Sequence, residues 1–431
     1  MTSASHSRRA MMLDLSQPRR IIGRVSSTRL TVRSRRAPGA VFTLSAFTLL
    51  GLTLACRPAP DDRTPAATAP PSSNSPASTP ATAPSSSAVE IEAEYGTARL
   101  SNDPDDPAIW VHPTDPARSL ILGTMKVAAP AGALVVFGLD GQIRQTITGI
   151  DRPNNVDVEY GVDIDGTPTD IAIVTERLAR RLRVFRLAPD GSGVTDLGGV
   201  PIFSGVDGEA GAPMGIALYL RPSDRALFAM VSPKEGATDG YLSQFRLQFR
   251  NGRVDATHVR TFGTFSGQTP ARENEIEAIA VDDALGYVYY ADEQFGIRKW
   301  HADPDHPDAA KELAVFGQQG FRGDREGIAL YTRPDGTGYL VCTDQLDDHS
   351  EYHVFARAGE PGRPHDHREL AVLKGDADAT DGLEISSRPL GPGLPAGLMV
   401  AMNSRPQNFL IFRWQDIASS LDARPAQPAA R

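Results

Sequence analysis

The chain has 431 residues, of which 40% are hydrophobic and 23% are charged, a balance typical of a globular protein. Its first 55 residues hold nine Arg and one acidic residue, so the remainder contains 35 basic and 52 acidic residues. This excess of negative charge disfavours binding of nucleic acid or another polyanion, except at a local basic patch or through bound metal ions.

The first recognisable element is an apolar run at residues 41–55 (VFTLSAFTLLGLTLA), which follows an Arg-rich stretch. It is shorter than a membrane span and indicates the hydrophobic region of a signal peptide. A buried core helix is the alternative, but Pro-rich sequence follows at once. Because Leu54-Ala55-Cys56 resembles a bacterial lipoprotein cleavage site, we expect residues 1–56 to be a leader and the protein to be exported, either secreted, periplasmic or lipid-anchored at Cys56.

Residues 57–89 are almost wholly Pro, Ala, Ser and Thr and predict a disordered linker. From residue 90 to residue 421 the chain consists of short Val-, Ile-, Leu-, Tyr- and Phe-rich runs separated by Asp-Gly, Asn-Gly or Pro turns, which are strand and hairpin signals. Only residues 411–421 have a helical pattern, and residues 422–431 are predicted to be a disordered tail.

A weak repeat of roughly fifty residues, in which an apolar run is followed by a second run that ends in a turn, predicts the blades of a β-propeller. It occurs at residues 171–191, 227–252, 287–304 and 339–359. A pair of β-sandwiches would need a linker, and no Pro-, Gly- or Ser-rich break interrupts residues 100–410. The prediction is therefore an all-β protein with one closed propeller.

The chain has two cysteines, Cys56 and Cys342. If Cys56 is lipidated or removed, no disulfide is possible, and Cys342 is expected in the core. The nine histidines do not show the spacing of a zinc site. Four of them are expected at the surface, namely His112, His353, His365 and His367. The chain also lacks a Gly-rich phosphate loop and a Gly-x-Ser-x-Gly motif.

Acidic and amide residues precede or end several of the apolar runs. The densest segments are residues 102–113 (NDPDDPAIWVHP) and residues 152–160 (RPNNVDVEY). Equivalent strand ends of successive blades meet at the central channel, so carboxylates far apart in sequence become neighbours. Calcium prefers such oxygen ligands, although each residue alone is also typical of a turn. The further carboxylates of this kind are Glu275, Glu277, Asp292, Glu293, Asp324 and Glu326.

Residues 105–113 (DDPAIWVHP), followed by residues 154–157 (NNVD), resemble the paired motifs of the β-propeller phytases. The resemblance continues through residues 231–236 (VSPKEG), 326–331 (EGIALY) and 380–383 (TDGL), and covers nearly all of residues 100–418. It implies a six-bladed propeller with several Ca²⁺ ions at one end of its channel. The metal ligands that it implies are Asp105, Asp106, Asp157, Glu277, Glu293, Asp324, Glu326, Gln345 and Asp381.

Within that set, the resemblance implies catalytic roles for Asp381, Glu277 and Glu293. It also implies that Lys126, Lys234 and Arg152 contact substrate phosphates. The chain departs from the family pattern at two positions: Glu159 stands on a strand that commonly carries a phosphate-binding Arg, and Met214 replaces a Tyr. Arg177 or Arg180 are alternative phosphate contacts.

The implied activity is that of a phosphoric monoester hydrolase, a 3-phytase, that removes phosphate from myo-inositol hexakisphosphate (phytate) by attack of a calcium-bound water. The protein is expected to be a monomer that does not bind nucleic acid. Two alternatives are a different calcium-dependent propeller hydrolase, such as a lactonase, and a non-catalytic binding module stabilised by calcium.

Overall fold

The computed structural model describes residues 88–267 and 275–422. The predicted leader, Cys56, nearly all of the predicted linker and residues 423–431 of the predicted tail lie outside these ranges. Within the described part, no helix is long and apolar enough to cross a membrane.

Six small sheets form a six-bladed β-propeller, as predicted. The N-terminal part contributes two short strands, β1 (Val89–Glu90) and β2 (Tyr95–Gly96). Blade one contains β3 (Pro104–Trp110), β4 (Leu120–Met125), β5 (Ala133–Gly138) and β6 (Ile143–Thr148). Blade two contains β7 (Pro153–Ile164), β8 (Thr167–Glu176), β9 (Arg181–Leu187) and β10 (Val194–Pro201). Blade three contains β11 (Pro213–Leu220), β12 (Leu227–Pro233), β13 (Asp239–Arg250) and β14 (Arg253–Thr264).

The C-terminal half repeats this pattern. Blade four contains β15 (Ile279–Asp282), β16 (Tyr287–Asp292), β17 (Gly296–His301) and β18 (Ala314–Phe316). Blade five contains β19 (Ile328–Thr332), β20 (Gly338–Gln345), β21 (Ser350–Ala356) and β22 (Glu369–Gly375). Blade six contains β23 (Leu383–Ser386), β24 (Leu398–Asn403) and β25 (Asn408–Arg413), after which helix α1 (Trp414–Asp422) follows. Two 3-10 turns lie at Pro116–Arg118 and Glu209–Gly211.

The N-terminal strands close the ring. Strand β2 pairs antiparallel with β25 as the outer strand of blade six, and β1 pairs parallel with β22 of blade five. Thr97 continues this pairing, since its N–H donates to the carbonyl of Phe409 over 2.8 Å. Strands from opposite ends of the chain thereby share a sheet, which leaves no open edge between the first and last blades.

The first strand of every blade lies at the centre. Each of β3, β7, β11, β15, β19 and β23 contacts the first strand of the next blade, and β23 contacts β3. Alternating side chains of these strands pack against the blade on either side. For example, Ile216 and Leu218 join the core shared with blade two, whereas Ala217 and Tyr219 join the core shared with blade four. Six apolar clusters, one between each pair of neighbouring blades, hold the ring together.

The structure tests several local predictions made from the sequence. The predicted repeats correspond to the second and third strands of blades two to five. The C-terminal helix is present, but Ile411 still belongs to β25 and the helix begins at Trp414. Cys342 is fully buried, as expected. The surface prediction is wrong for His112, His353 and His367, which are at most 5% exposed, because each ring packs against neighbouring aromatic side chains.

Phe409 tests the contact that closes the ring between blades six and one. Its side chain is fully buried, stacks edge-on against Phe137 and fills the space above Gly123. We expect Phe409→Ala to lower the free energy of unfolding by about 3 to 5 kcal/mol, because it leaves a cavity between blades. Chemical denaturation measures this. Leu178→Ala, at a side chain 54% exposed, is the control and should change stability by no more than about 0.5 kcal/mol. Equal losses in the two variants would contradict the closure described here.

Candidate active site

All the predicted site residues except Asp157 lie at one end of the channel, which we call the rim. Each first strand begins at this end, and each second strand returns to it. The residues at the starts of first strands are Asp105, Asp106, Glu277, Glu326 and Asp381, and those at the ends of second strands are Lys126, Lys234, Glu293 and Gln345. The fold therefore brings carboxylates from several blades to one end of the channel, as the sequence predicts.

The centre of the rim is a chain of polar contacts between blades one, five and six. Lys126 Nζ forms an ion pair with Asp105 and a second one with Asp381 Oδ2 at 3.1 Å. The other oxygen of Asp381 accepts a hydrogen bond from Gln345 Nε2 over 2.6 Å. Lys126 and Gln345 together orient Asp381, whose side chain remains 25% exposed at the mouth of the channel.

Backbone and amide groups hold the carboxylates of the neighbouring blades. Asp106 Oδ2 accepts a hydrogen bond from the N–H of Val156 over 2.9 Å. Glu277 Oε1 accepts from the side-chain amide of Asn154, which also donates to Asn155 Oδ1. The Asn-Asn pair of the sequence motif, which lies in blade two, thus positions the carboxylate of Glu277, which lies in blade four.

A second group lies between blades three and four. Lys234 Nζ donates to Glu275 Oε1 over 2.6 Å, and the N–H of Glu275 donates to Glu293 Oε2 over 3.1 Å. Arg325 adds a hydrogen bond to the main-chain carbonyl of Glu293 at 2.7 Å. The backbone of Gln345 bonds the carbonyl of Asp324 at 2.9 Å, which holds Asp324 and Gln345 side by side.

The rim is electrostatically strained. Burial raises the pKa of Asp105, Glu293 and Glu326 well above the usual carboxyl range, and neighbouring carboxylates, Glu277 among them, raise it further. Burial acts to lower the pKa of Lys126, but its pairs with Asp105 and Asp381 outweigh this and hold it well above the usual value. Negative charge therefore exceeds what the lysines compensate.

Asp157 and Glu159 do not lie at the rim. They follow β7 into the channel, where Asp157 accepts hydrogen bonds from the N–H groups of Val158 and Leu218 over 2.6 and 2.7 Å. Burial raises the pKa of Asp157 to about 6 and, helped by Asp283, that of Glu159 to about 8. Glu159, identified as a departure in the phosphate pocket, accordingly lies among acids inside the channel.

The other departure, Met214, is at the rim. It is 1% exposed and its sulfur contacts Arg177 Nη2. Arg177 is also close enough to Glu275 to lower the pKa of that carboxyl, although burial dominates and raises it. Arg152 lies at the same end, at the start of blade two. Burial raises the pKa of Asp103, and the positive charges of Lys126 and Arg152 oppose that increase. Arg180 is instead bonded to the carbonyls of Val206 and Gly208.

Sequence reasoning missed some rim residues. Asp103 interacts with Lys126 and Asp381, and Asn154 donates a hydrogen bond to Glu277, yet neither was singled out as a site residue. Asp103 and Asn154 fall within the two motifs, so the motifs contained the signal. Arg177 and Glu275 were named from the sequence, but their contacts with Met214 and Lys234 had no local signal, because those partners lie in another blade.

The rim fits a hard divalent cation. All its predicted ligands offer oxygen, and at the rim the buried carboxylate oxygens Asp105 Oδ2 and Glu293 Oε1 have no hydrogen-bond partner among the described residues. In this arrangement the lysines, Gln345 and Asn154 occupy several other carboxylate oxygens. Within the described ranges, the three side chains whose metal-binding atoms all lie within 4.8 Å of one another are a different set, Asp344, Glu351 and His353.

Gly215 tests the close approach that positions Glu277. A Cβ atom there would collide with the main-chain carbonyl of Glu277. We expect Gly215→Ala to lower the melting temperature, by an amount corresponding to about 1 to 3 kcal/mol or more, because backbone must move to relieve the overlap. A Cβ at Gly393 would meet no atom within 4 Å, so Gly393→Ala is the matched control and should melt like the parent protein. Identical melting of both variants would show that blade three does not support Glu277.

Comparisons with known proteins bear on the same residues. A family model described as Phytase matches residues 66–428, a span that contains every rim residue named above. The 3-phytase of Bacillus subtilis (strain 168) is 29% identical over 354 residues, which is 76% of this chain and 86% of that protein.

Solved structures are more distant. The calcium-binding protein regucalcin from Agrobacterium tumefaciens str. C58 is 12% identical with a TM-score of 0.45, over 76% of this chain and 97% of that chain. A periplasmic gluconolactonase from Pseudomonas aeruginosa is 15% identical with a TM-score of 0.39, over 60% and 68% respectively. The family model, in contrast, covers the whole propeller and both sequence motifs. The chain therefore belongs to the Phytase family.

Proposed function

We propose that the protein hydrolyses phytate, releasing inorganic phosphate, in a calcium-dependent reaction at the rim. The observation that carries the proposal is the convergence of buried carboxylates and lysines from different blades at one end of the channel. Family membership and the 3-phytase activity of the Bacillus subtilis relative support the same reaction.

The proposed ligands of calcium are the rim carboxylates Asp105, Asp106, Glu277, Glu293, Asp324, Glu326 and Asp381, with Gln345 as a neutral ligand. Calcium bound there would supply positive charge to phosphate oxygens and would lower the pKa of a nearby water. Without cations, this rim repels a polyphosphate, because negative charge is in excess around Lys126 and Lys234. The acidic rim is thus consistent with an anionic substrate only when metal is present.

The cationic side chains suggest which phosphate esters are preferred. Lys126 lies between Asp105 and Asp381, while Lys234 lies beside Glu275 two blades away. Arg152 and Arg177 lie at the same end of blade two. Positive groups at separate points of the rim can contact several phosphates of one substrate, which favours a polyphosphorylated ring over a simple monoester.

Asp381, Glu277 and Glu293 are proposed as the catalytic carboxylates. Asp381 is 25% exposed, and Lys126 and Gln345 hold its two oxygens. Glu277 and Glu293 are at most 4% exposed and present oxygens from blade four. Such preorganised groups need little rearrangement when substrate binds.

We also propose that the protein is exported. It rests on the apolar run at residues 41–55 and on Cys56 at its end. A lipid anchor at Cys56 followed by the Pro-, Ala-, Ser- and Thr-rich segment would hold the propeller away from a membrane surface.

Phosphate release from phytate tests the function. With purified protein we expect release in the presence of Ca²⁺, none with excess chelator, and recovery when Ca²⁺ is restored, because the bound ions again supply positive charge at the acidic rim. Magnesium at equal concentration is the control for ionic strength. Folded, calcium-loaded protein that releases no phosphate would reject the proposal in favour of a binding module, and hydrolysis of a lactone alone would favour a lactonase.

Asp381→Ala tests the assignment of the site. The variant removes a partly exposed acceptor of Lys126 and Gln345, so we expect phosphate release to fall about 100-fold or more while the melting temperature changes little. Asp255→Ala, at an exposed acidic residue of β14, is the matched control and should retain full activity. Full turnover by Asp381→Ala would refute the role of this carboxylate.

A further inference from the structure

A cluster of histidines and carboxylates in blade five lies outside the proposed calcium ligands. Asp344 and Glu351 are directly paired across the antiparallel strands β20 and β21. His353, two residues beyond Glu351, projects from the same face. Two carboxylates in opposite positions repel each other, so this pair requires positive charge nearby.

His353 is oriented like a metal ligand. Its side chain is 1% exposed, and Nδ1 lies 2.7 Å from Glu369 Oε2. Because a carboxylate only accepts, Nδ1 carries the proton in the neutral ring and Nε2 presents a lone pair. Nε2 has no hydrogen-bond partner among the described residues and lies 3.8 Å from Asp344 Oδ2. A lone pair that faces a carboxylate oxygen is unfavourable unless a metal ion lies between them or Nε2 itself carries a proton.

His349 repeats the arrangement on the other side of the pair. Its Nδ1 lies 2.6 Å from Asp348 Oδ1, and its Nε2 lies 3.8 Å from Glu351 Oε1. Both imidazoles are thus held by a carboxylate at Nδ1 and direct Nε2 towards an acidic oxygen. A carboxylate that fixes the far nitrogen of a histidine is the usual outer partner of a metal-bound imidazole.

We propose that Asp344, Glu351 and His353 bind a divalent transition-metal ion of the zinc, cobalt or manganese class, with His349 available as a fourth ligand. The metal-binding atoms of the first three already lie within 4.8 Å of one another. Imidazole nitrogen suits these metals, whereas calcium prefers an all-oxygen shell. The ligand set therefore separates this site chemically from the rim.

Arg322 is the competing cation. Its Nη2 lies 2.6 Å from Glu351 Oε1, but its side chain is 55% exposed and has room to turn into solvent. A proton on His353 Nε2 is the other competitor, since it would form an ion pair with Asp344. Metal binding must displace both, so affinity depends on each of them.

Metal binding at this site would also stabilise part of the rim. The N–H groups of Arg322 and Gly323 donate to Asp344 over 2.9 and 2.6 Å, and Phe321 stacks on His353 at 3.8 Å between ring centres. These residues immediately precede Asp324 and Glu326. A metal on Asp344 would therefore stabilise the segment that carries two proposed calcium ligands.

Cobalt(II) titration of the calcium-saturated full chain tests the proposal, because imidazole-bound Co²⁺ gives visible ligand-field absorption that calcium at the rim does not. We expect one such absorbing ion per chain. His353→Gln and Glu351→Gln should each weaken Co²⁺ binding at least tenfold, and Glu369→Gln should weaken it about 10- to 100-fold. Arg322→Gln should tighten it, because the competing cation is removed.

His258→Gln is the matched control, since His258 is an exposed histidine of β14 that has no carboxylate partner among the described residues, so its loss should not affect the absorption. Glu351, whose side chain is 15% exposed, provides a ligand variant less prone to misfolding than the buried His353, and circular dichroism checks each fold. Absorption that is lost only in the ligand variants supports the site. Absence of Co²⁺ absorption, or the same absorption in parent, His353→Gln and Glu351→Gln, would overturn it and leave a proton and Arg322 as the occupants.

Discussion

The repulsion among carboxylates gathered at one end of the channel is the constraint on which the site depends. Asp105, Glu293 and Glu326 come from three blades, and burial denies each of them the water that would stabilise its charge. Lys126 and Lys234 relieve part of this repulsion. Protons or bound cations relieve the remainder, and bound cations would also make the rim attractive to a phosphorylated substrate.

A closed propeller tolerates this strain because its stability is generated elsewhere. Six apolar clusters between the blades, together with the strand that joins the two ends of the chain, hold the first strands in register. The rim residues sit on the ends of these strands, where a small shift of one blade would change the distances between charges. Rigid packing between the blades therefore fixes the positions of the charged groups at the rim.

The sequence was sufficient to predict the propeller and the convergence of most of the candidate carboxylates at one end of the channel, because turns, strands and the Asp-Asp and Asn-Asn motifs are local patterns. It was insufficient where a residue's partner lies in another blade. The contact between Lys126 and Asp381 spans 255 residues, and the position of Asp157 within the channel depends on how far β7 runs before it leaves the rim. His353 was placed at the surface because neither Phe321 nor Glu369, which bury and orient it, is adjacent in sequence.

The most direct test of the account is the number of calcium ions bound, measured by calorimetry or equilibrium dialysis on the metal-free protein and on an Asp381→Ala/Glu326→Gln variant. The account predicts that calcium binds the parent chain and that the variant, though folded, binds fewer ions or binds them more weakly. Identical stoichiometry and affinity in the two proteins would contradict the claim that the rim carboxylates hold the calcium.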